Sequence, residues 1–305
     1  MSEATRPSSE TPPAWRVWLV AARPKTLPAA AAPVLAGVGL AVTHGAWRPG
    51  VALATLAAAL LLQIGVNLAN DAQDFQRGAD KAEERLGPPR VTALGWRTPR
   101  QVLRAAGLVF ALALVVGLYL VAVGGWPILA IGLSAIVAAW AYSGGPYPIA
   151  YHGLGEVFVL LYFGLLAVAG TYYLQTGTWH PGAWLLGLAL GCINTAILVV
   201  NNYRDLDNDR RAGKRTLAVR LGPAGARLEY ALCLAAPYVL ALGAVAAGLW
   251  PRGALAVLLT LPWAWRAWQR LRRAHGRALN PVLAQTGQLA LLYALAFALG
   301  AWALG

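Results

Sequence analysis

The chain has 305 residues, of which 58% are hydrophobic and 12% charged, whereas a soluble domain carries about 25% charged residues. Its formal net charge is +13, and Cys192 and Cys233 both lie in apolar runs. This balance excludes a soluble enzyme, a disordered chain, a coiled coil and a disulfide scaffold, and leaves a polytopic membrane protein.

In chain order, the first dozen residues, with Pro7, Ser8, Ser9, Pro12 and Pro13, predict a solvated, disordered tail over residues 1–14. The apolar run behind it lacks the small-residue cleavage site of a signal peptide. A hydrocarbon core of about 30 Å takes about 20 apolar residues as helix. Nine segments fit this requirement: 24–42, 50–69, 101–123, 127–142, 155–174, 182–200, 228–249, 252–269 and 282–304. Residues 15–305 therefore read as one all-α transmembrane bundle, with the fourth and eighth spans the shortest.

With the N-terminus on the cytoplasmic side, the basic residues sort by face. Arg6, Arg16, Arg23 and Lys25 precede the first span, seven from Arg77 to Arg104 follow the second, and seven from Arg204 to Arg227 follow the sixth. Five more, Arg266 to Arg277, lie around the eighth-to-ninth connection. Only Arg48 and Arg252 fall opposite, a split of 23 to 2. This is the positive-inside pattern, and it puts the C-terminus outside. Charge spread over four membrane-flanking segments forms no nucleic-acid-binding module. The predicted surrounding is the lipid bilayer of the cell membrane. All 12 acidic residues fall on the cytoplasmic side as well, which the positive-inside rule does not require.

The second span ends in Gln63-Ile-Gly-Val-Asn67-Leu-Ala-Asn70-Asp71-Ala-Gln-Asp74-Phe-Gln-Arg77-Gly78-Ala-Asp80-Lys81. The sixth ends in Val199-Val-Asn201-Asn202-Tyr203-Arg204-Asp205-Leu-Asp207-Asn-Asp209-Arg210-Arg-Ala-Gly213-Lys214-Arg215. At an offset of 134 residues Asn67 meets Asn201 and Asp71 meets Asp205, and a Gly and a Lys follow each. Matched segments after two different spans predict a weak internal repeat of two halves. On a helix, Asp71 and Asp74 share a face with Asn67 and Asn70, and Asp205 and Asp209 share one with Asn202. Like charges at this spacing repel by about 0.2–0.5 kcal/mol per pair, and an anion at a helix C-terminus costs about 0.3–1 kcal/mol. A cation should offset both terms, and oxygen ligands without His or Cys predict a hard one, Mg2+. Arg77, Lys81, Lys214 and Arg215 would not improve a simple cation site. They fit the non-bridging oxygens of a diphosphate whose other face is on the metal.

These residues resemble the two Asp-rich motifs, after the second and sixth of nine helices, of the UbiA superfamily of intramembrane prenyltransferases. The resemblance extends to Ala22-Arg-Pro-Lys-Thr-Leu-Pro28, Gly87-Pro-Pro-Arg90, Gly153-Leu-Gly-Glu156 and Lys214-Arg-Thr-Leu-Ala-Val-Arg-Leu-Gly222. It is greatest toward the branch that prenylates 1,4-dihydroxy-2-naphthoate. It implies Asn67, Asp71 and Asp74, with Asp80 as an outlying carboxylate, as one Mg2+ motif, and Asn202, Asp205 and Asp209 as the other. It also implies transfer of a polyprenyl group from a polyprenyl diphosphate to a small aromatic acid acceptor, with loss of CO2 from the naphthoate, near the cytoplasmic face. In one place the chain departs from the superfamily: Tyr142-Ser-Gly-Gly-Pro-Tyr147-Pro-Ile-Ala-Tyr151 lacks the basic residue often carried there. Arg90, Lys25 and His152 are the available substitutes. Lys25, Arg90, Tyr142 and Tyr147 are the expected acceptor contacts, and Tyr142, Tyr147, Tyr162, Phe163 and Tyr172 the candidate wall around an allylic cation. Glu156 reads as a favourable acid at a helix N-terminus, and Gln285 and Gln288 as bonds between helices. Three alternatives stay open: 4-hydroxybenzoate or homogentisate as acceptor, a transporter built on the repeat, and a non-catalytic lipid-binding scaffold.

Overall fold

Proline in the first turn starts most of the long helices, where its missing N–H leaves no bond unmade. The structure, a computed structural model, describes residues 12–78 and 85–304; these residues contain helices and connections and no strand. The helices are α1 (Ala14–Ala22), α2 (Leu27–Thr43), α3 (Pro49–Gln76), α4 (Pro99–Gly124), α5 (Trp126–Ala141), α6 (Gly155–Leu160), α7 (Leu166–Thr176), α8 (Pro181–Arg204), α9 (Leu206–Arg211), α10 (Leu217–Ala246), α11 (Leu261–Arg273) and α12 (Asn280–Ala303). A π-helical turn, Leu161–Leu165, joins α6 to α7.

Among the described residues seven helices are long and apolar enough to cross a membrane, where the sequence predicts nine spans. The fourth expected span forms α5, apolar but only 16 residues long. The eighth forms a nine-residue 3-10 stretch, Arg252–Thr260, followed by α11 with Arg270, Arg272 and Arg273 in its last turn. Its arginines gather toward its last turn, so α11 is an amphipathic helix with a basic end. Helix α1 falls on residues that the sequence leaves as tail and lead-in. It stops at Arg23, whose φ of 52° lies in the left-handed region just ahead of Pro24. Residues 1–11 of the expected tail lie outside the described residues.

Helix α8 is the centre of the bundle. It packs on α10, α12, α6, α7 and the π-turn, and its buried Leu186, Leu190 and Ile193 join the main core. Small residues let backbones close in: a Cβ on Gly164 of the π-turn would lie 2.5 Å from the Gly187 carbonyl oxygen and the Gly191 Cα. Such contacts replace the hydrophobic drive that lipid cannot supply. The π-turn leaves the Phe163 carbonyl to accept from Asn194 Nδ2 at 2.7 Å. Helix α3 forms the second centre with α4 and α1. Helix α2 contacts both α3 and α8, which make no extensive contact with each other. The gap between them is where the site lies.

Candidate active site

A cavity of about 920 Å3 runs between the α3 and α8 halves. At one end its lining is polar: Asn67, Asn70 and Asp74 from α3, Asn201, Asn202, Asp205 and Asp209 from α8 and α9, and the cations Arg23, Lys25, Arg85, Arg90, Arg211 and Lys214. The rest is apolar and aromatic, with Phe158, Tyr162 and Phe163 along one wall and leucines and alanines of α4 and α5 along another.

The first motif divides its two aspartates. On an ideal helix Asp71 is rotated by about 60° from Asp74, and that rotation separates their fates. Asp74 is buried at the cavity wall, ion-paired to Arg90 at 3.0 Å, and accepts from the Tyr151 hydroxyl at 3.3 Å. Asp71 is outside the lining. Its carboxylate accepts from the backbone N–H of Val91 at 3.0 Å and of Thr92 at 3.1 Å, and from the Thr92 hydroxyl. It thus fastens the loop that delivers Arg90, whose guanidinium also donates to the Asn70 carbonyl. The lining contains Asn67 and Asn201, which match at the offset of 134 residues, and also Asn70 and Asp74 with Asn201 and Asp205, which match at an offset of 131. Both registers are available because Asn67 and Asp71 have the same i, i+4 spacing as Asn70 and Asp74.

In the second motif Arg204, itself buried, organises the ligands. Its Nε donates to Asp205 Oδ1 at 2.9 Å, and its other nitrogens reach Asp205 Oδ2, Asn201 Oδ1 and Asn280 Oδ1 at 2.5, 2.7 and 2.8 Å. Gly87 lies against this guanidinium: a Cβ there would come within 2.6 Å of it. That contact accounts for the glycine of Gly87-Pro-Pro-Arg90. Asn202 Nδ2 donates to Glu156 Oε1 at 2.9 Å, so Glu156 faces α8 as well as standing in the first turn of α6. Lys214 Nζ lies 3.8 Å from Asp209. Burial alone would pull this ammonium down, but the carboxylates of Asp209 and Asp74 outweigh it and hold Lys214 above the ordinary lysine value.

Tyr151 joins the two halves. Besides its bond to Asp74, its ring lies under the Arg77 guanidinium at 5.5 Å and the Lys214 ammonium at 5.4 Å, both within cation–π range. Sequence reasoning assigned no role to Tyr151 or Arg204; the signal available was a tyrosine ending the connection that lacks its basic residue, and an arginine next to a motif aspartate. Of the expected diphosphate residues that are among the described ones, Lys214 alone lines the cavity. Arg77 is turned into the loop, donating to the carbonyls of Ser143 at 2.9 Å and Gly145 at 2.5 Å. Arg215 is outside the lining, and Lys81 and Asp80 lie outside the described residues. Lys25, Arg90 and Tyr142 line it as expected acceptor residues; Tyr147 does not, being stacked on His152 with centroids 3.6 Å apart. Tyr172 also leaves the wall, hydrogen-bonded to His44 Nδ1 at 2.7 Å. Gln285 links α12 to α11 through Trp263 and Arg270.

The donors fit Mg2+. They are oxygens without His or Cys, and the buried Oδ1 of Asn70 has no hydrogen-bond partner. Among the described residues no three His, Cys, Asp or Glu side chains converge into a ready-made cage. That suits an ion which keeps waters and shares substrate phosphates.

The UbiA prenyltransferase family matches residues 30–292. The chain is 42% identical to a 1,4-dihydroxy-2-naphthoate octaprenyltransferase of Mycobacterium tuberculosis, over 94% of this chain and 97% of that one. It is 40% identical to the protein of the same name from Escherichia coli, over 93% and 94% of the two chains. Among solved structures, a UbiA homologue from Aeropyrum pernix K1 superposes with a TM-score of 0.68 at 19% identity, covering 88% of this chain and 96% of that one. A UbiA homologue from Archaeoglobus fulgidus bound to GPP and Mg2+ superposes with a TM-score of 0.65 at 18% identity, covering 92% and 99%.

Proposed function

The chain belongs to the UbiA prenyltransferase family, and on that premise we propose that it transfers a polyprenyl group from a polyprenyl diphosphate to 1,4-dihydroxy-2-naphthoate. The naphthoate loses CO2 at the carbon that is alkylated, giving demethylmenaquinone. The observation that carries this reading is the joining, in one cavity, of Asn70 and Asp74 with Asn201, Asp205 and Asp209 at the mouth of an apolar and aromatic chamber. The names of relatives from Mycobacterium tuberculosis and Escherichia coli support the naphthoate acceptor.

Asp74, Asp205 and Asp209, with the amide oxygens of Asn70, Asn67 and Asn202, would hold Mg2+, and Asp80 joins them by family resemblance. Mg2+, when bound, neutralises the diphosphate so that it can depart as pyrophosphate. Lys214, Arg85 and Arg23 face the same end and take the non-bridging oxygens where charge develops. Phe158, Tyr162, Phe163 and Tyr142, which line the chamber, would wall the allylic carbon with aromatic rings and exclude water from it. Lys25 and Arg90 hold the acceptor carboxylate beside that carbon. The 23 to 2 division of basic residues supports nine spans with the N-terminus cytoplasmic, the C-terminus outside and the site near the cytoplasmic face of the cell membrane. In this arrangement α5 crosses as a short helix and the Arg252–Arg273 segment supplies the eighth span.

Purified protein assayed with a panel of aromatic acceptors and a prenyl diphosphate tests the reading. Turnover of the naphthoate, lost in EDTA and restored by Mg2+, is expected. Turnover only with 4-hydroxybenzoate or homogentisate removes the acceptor assignment, and turnover indifferent to chelation removes the metal.

A further inference from the structure

Among the described residues that line the chamber, three amides have a buried oxygen without a hydrogen-bond partner: Asn70 in the first motif, Gln63 in α3 and Asn194 in α8. Gln63 is 7% exposed and Asn194 2%, and native structures rarely leave such an acceptor bare. Neither amide can be turned round to remove the vacancy. Asn194 Nδ2 donates to two backbone carbonyls, Phe163 at 2.7 Å and Ala29 at 3.1 Å, where an amide oxygen would face only acceptors. Asn67 is fixed likewise, its Nδ2 donating to the Ala22 carbonyl at 2.9 Å, so its Oδ1 must receive Gln63 Nε2, at 3.2 Å. The Thr26 hydroxyl gives its proton to the Arg23 carbonyl and accepts from Gln63 Nε2 at 3.1 Å and Asn67 Nδ2 at 2.9 Å. Every donor of these four side chains is thus committed, and Gln63 Oε1 and Asn194 Oδ1 are left over. The two residues stand at one depth. Gln63 lies seven residues before Asn70 and Asn194 seven before Asn201, two helical turns and about 10 Å inward from the polar end. Both also hold the start of α2, through Thr26 and Ala29, three residues apart and just beyond Lys25.

We propose that Gln63 and Asn194 form the subsite that recognises the free phenolic hydroxyl of the aromatic acceptor, an amide oxygen accepting its O–H. The occupant is a hydrogen-bond donor on an apolar body, because the two open groups are acceptors and their neighbours in the lining are Leu62, Val66, Ile197 and Leu198. In 1,4-dihydroxy-2-naphthoate the 1-hydroxyl is ortho to the carboxylate and donates to it internally. The 4-hydroxyl stands clear of the carboxylate and keeps a proton to give. With the carboxylate on Lys25, that proton falls to the amides bracketing the next turn of chain. The inference rests on the reading of an aromatic acid acceptor and specifies what recognises its second polar group.

The test measures dissociation constants of 1,4-dihydroxy-2-naphthoate and of 1-hydroxy-2-naphthoate, which lacks the 4-hydroxyl, by anaerobic calorimetry in lipid nanodiscs. Mg2+ and geranyl thiolodiphosphate, a sulfur-bridged donor analogue that does not transfer its chain, are present throughout. The proteins are wild type, Gln63→Met, Asn194→Leu and a control, Thr195→Val, whose hydroxyl is also buried without a partner but lies outside the chamber lining. Wild type should bind the dihydroxy compound about tenfold or more tightly. The preference should fall to near unity in Gln63→Met or in Asn194→Leu, whichever oxygen takes the proton, and stay at the wild-type ratio in the control. No preference in wild type, or a preference that outlasts both substitutions, removes the subsite. Wild type that binds neither compound counts against the acceptor reading itself. Should the variants fail to fold, wild type decides with two further analogues. The 4-amino compound, which still donates, should bind like the hydroxyl compound, and the 4-methoxy compound, which cannot donate, like the one lacking the group; the reverse order removes the proposal.

Discussion

The segments that end α3 and α8 contain the same ingredients, asparagines, aspartates and trailing basic residues, and assemble them differently. At the end of α3, Asp74 faces the cavity while Asp71 is consumed in holding Val91 and Thr92. The cation opposite Asp74 is Arg90, which arrives on the loop that Asp71 fastens. At the end of α8, both Asp205 and Asp209 line the cavity, and their cations, Arg204 and Lys214, come from the same segment. One half of the site is therefore built by folding a distant loop back onto a helix. The other half is assembled within a short stretch of chain. A repeat in sequence has here become a division of labour, with one aspartate of four assigned to architecture.

Four substitutions break or sharpen this contrast. Asp209→Asn should lower turnover by about 100-fold or more, in line with removal of one electrostatic group from a preorganised site, while the thermal midpoint stays near wild type; normal rates would return the second motif to a solvated charged segment. Asp71→Ala should act in the opposite way. Stranding the Val91 and Thr92 donors costs about 1–3 kcal/mol, read as a lower melting temperature, and activity falls in step with loop order. An inactive Asp71→Ala protein with unchanged melting would erase the distinction between the halves. Tyr151→Phe keeps the ring under Arg77 and Lys214 but removes the bond to Asp74, and should reduce turnover about tenfold, the scale of an outer-shell partner. Thr92→Val, which deletes one hydroxyl from the same anchor as Asp71, should cost about 1 kcal/mol of stability and leave kcat close to wild type.

Most of the helical layout was legible because long apolar runs and first-turn prolines are one-dimensional signals. The start of α8 at Pro181 and of α4 at Pro99 lies within two residues of the expected spans. The two motifs were legible for the same reason: acids are scarce in this chain, and they cluster. Other features were not readable. Which of Asp71 and Asp74 turns inward depends on a loop some 20 residues further on, and a helical wheel cannot supply that partner. Arg204 looked like one more flanking charge until the fold brought Asn280 to it. The 252–269 run reads as one helix in sequence, and the change from a 3-10 stretch to an amphipathic α-helix at Leu261 has no signal in its apolar count. Arg77 and Tyr147 stand close to the site in sequence, and the loop between α5 and α6 engages both in its own bonds and stacking, which no spacing of residues reveals.

The π-helical turn between α6 and α7 has a consequence for phase. Phe158, Tyr162, Leu166, Gly170 and Leu174 all line the cavity, a stripe with a repeat of four residues. Four ordinary α-helical turns take about 14.4 residues, so over this span of 16 residues the stripe would swing well away from the chamber. The wider turn at Leu161–Leu165 absorbs about one residue of that excess. It works as a vernier: by slipping the helix against its own periodicity once, it keeps a single face turned toward the substrate from the polar mouth to the far end of the chamber.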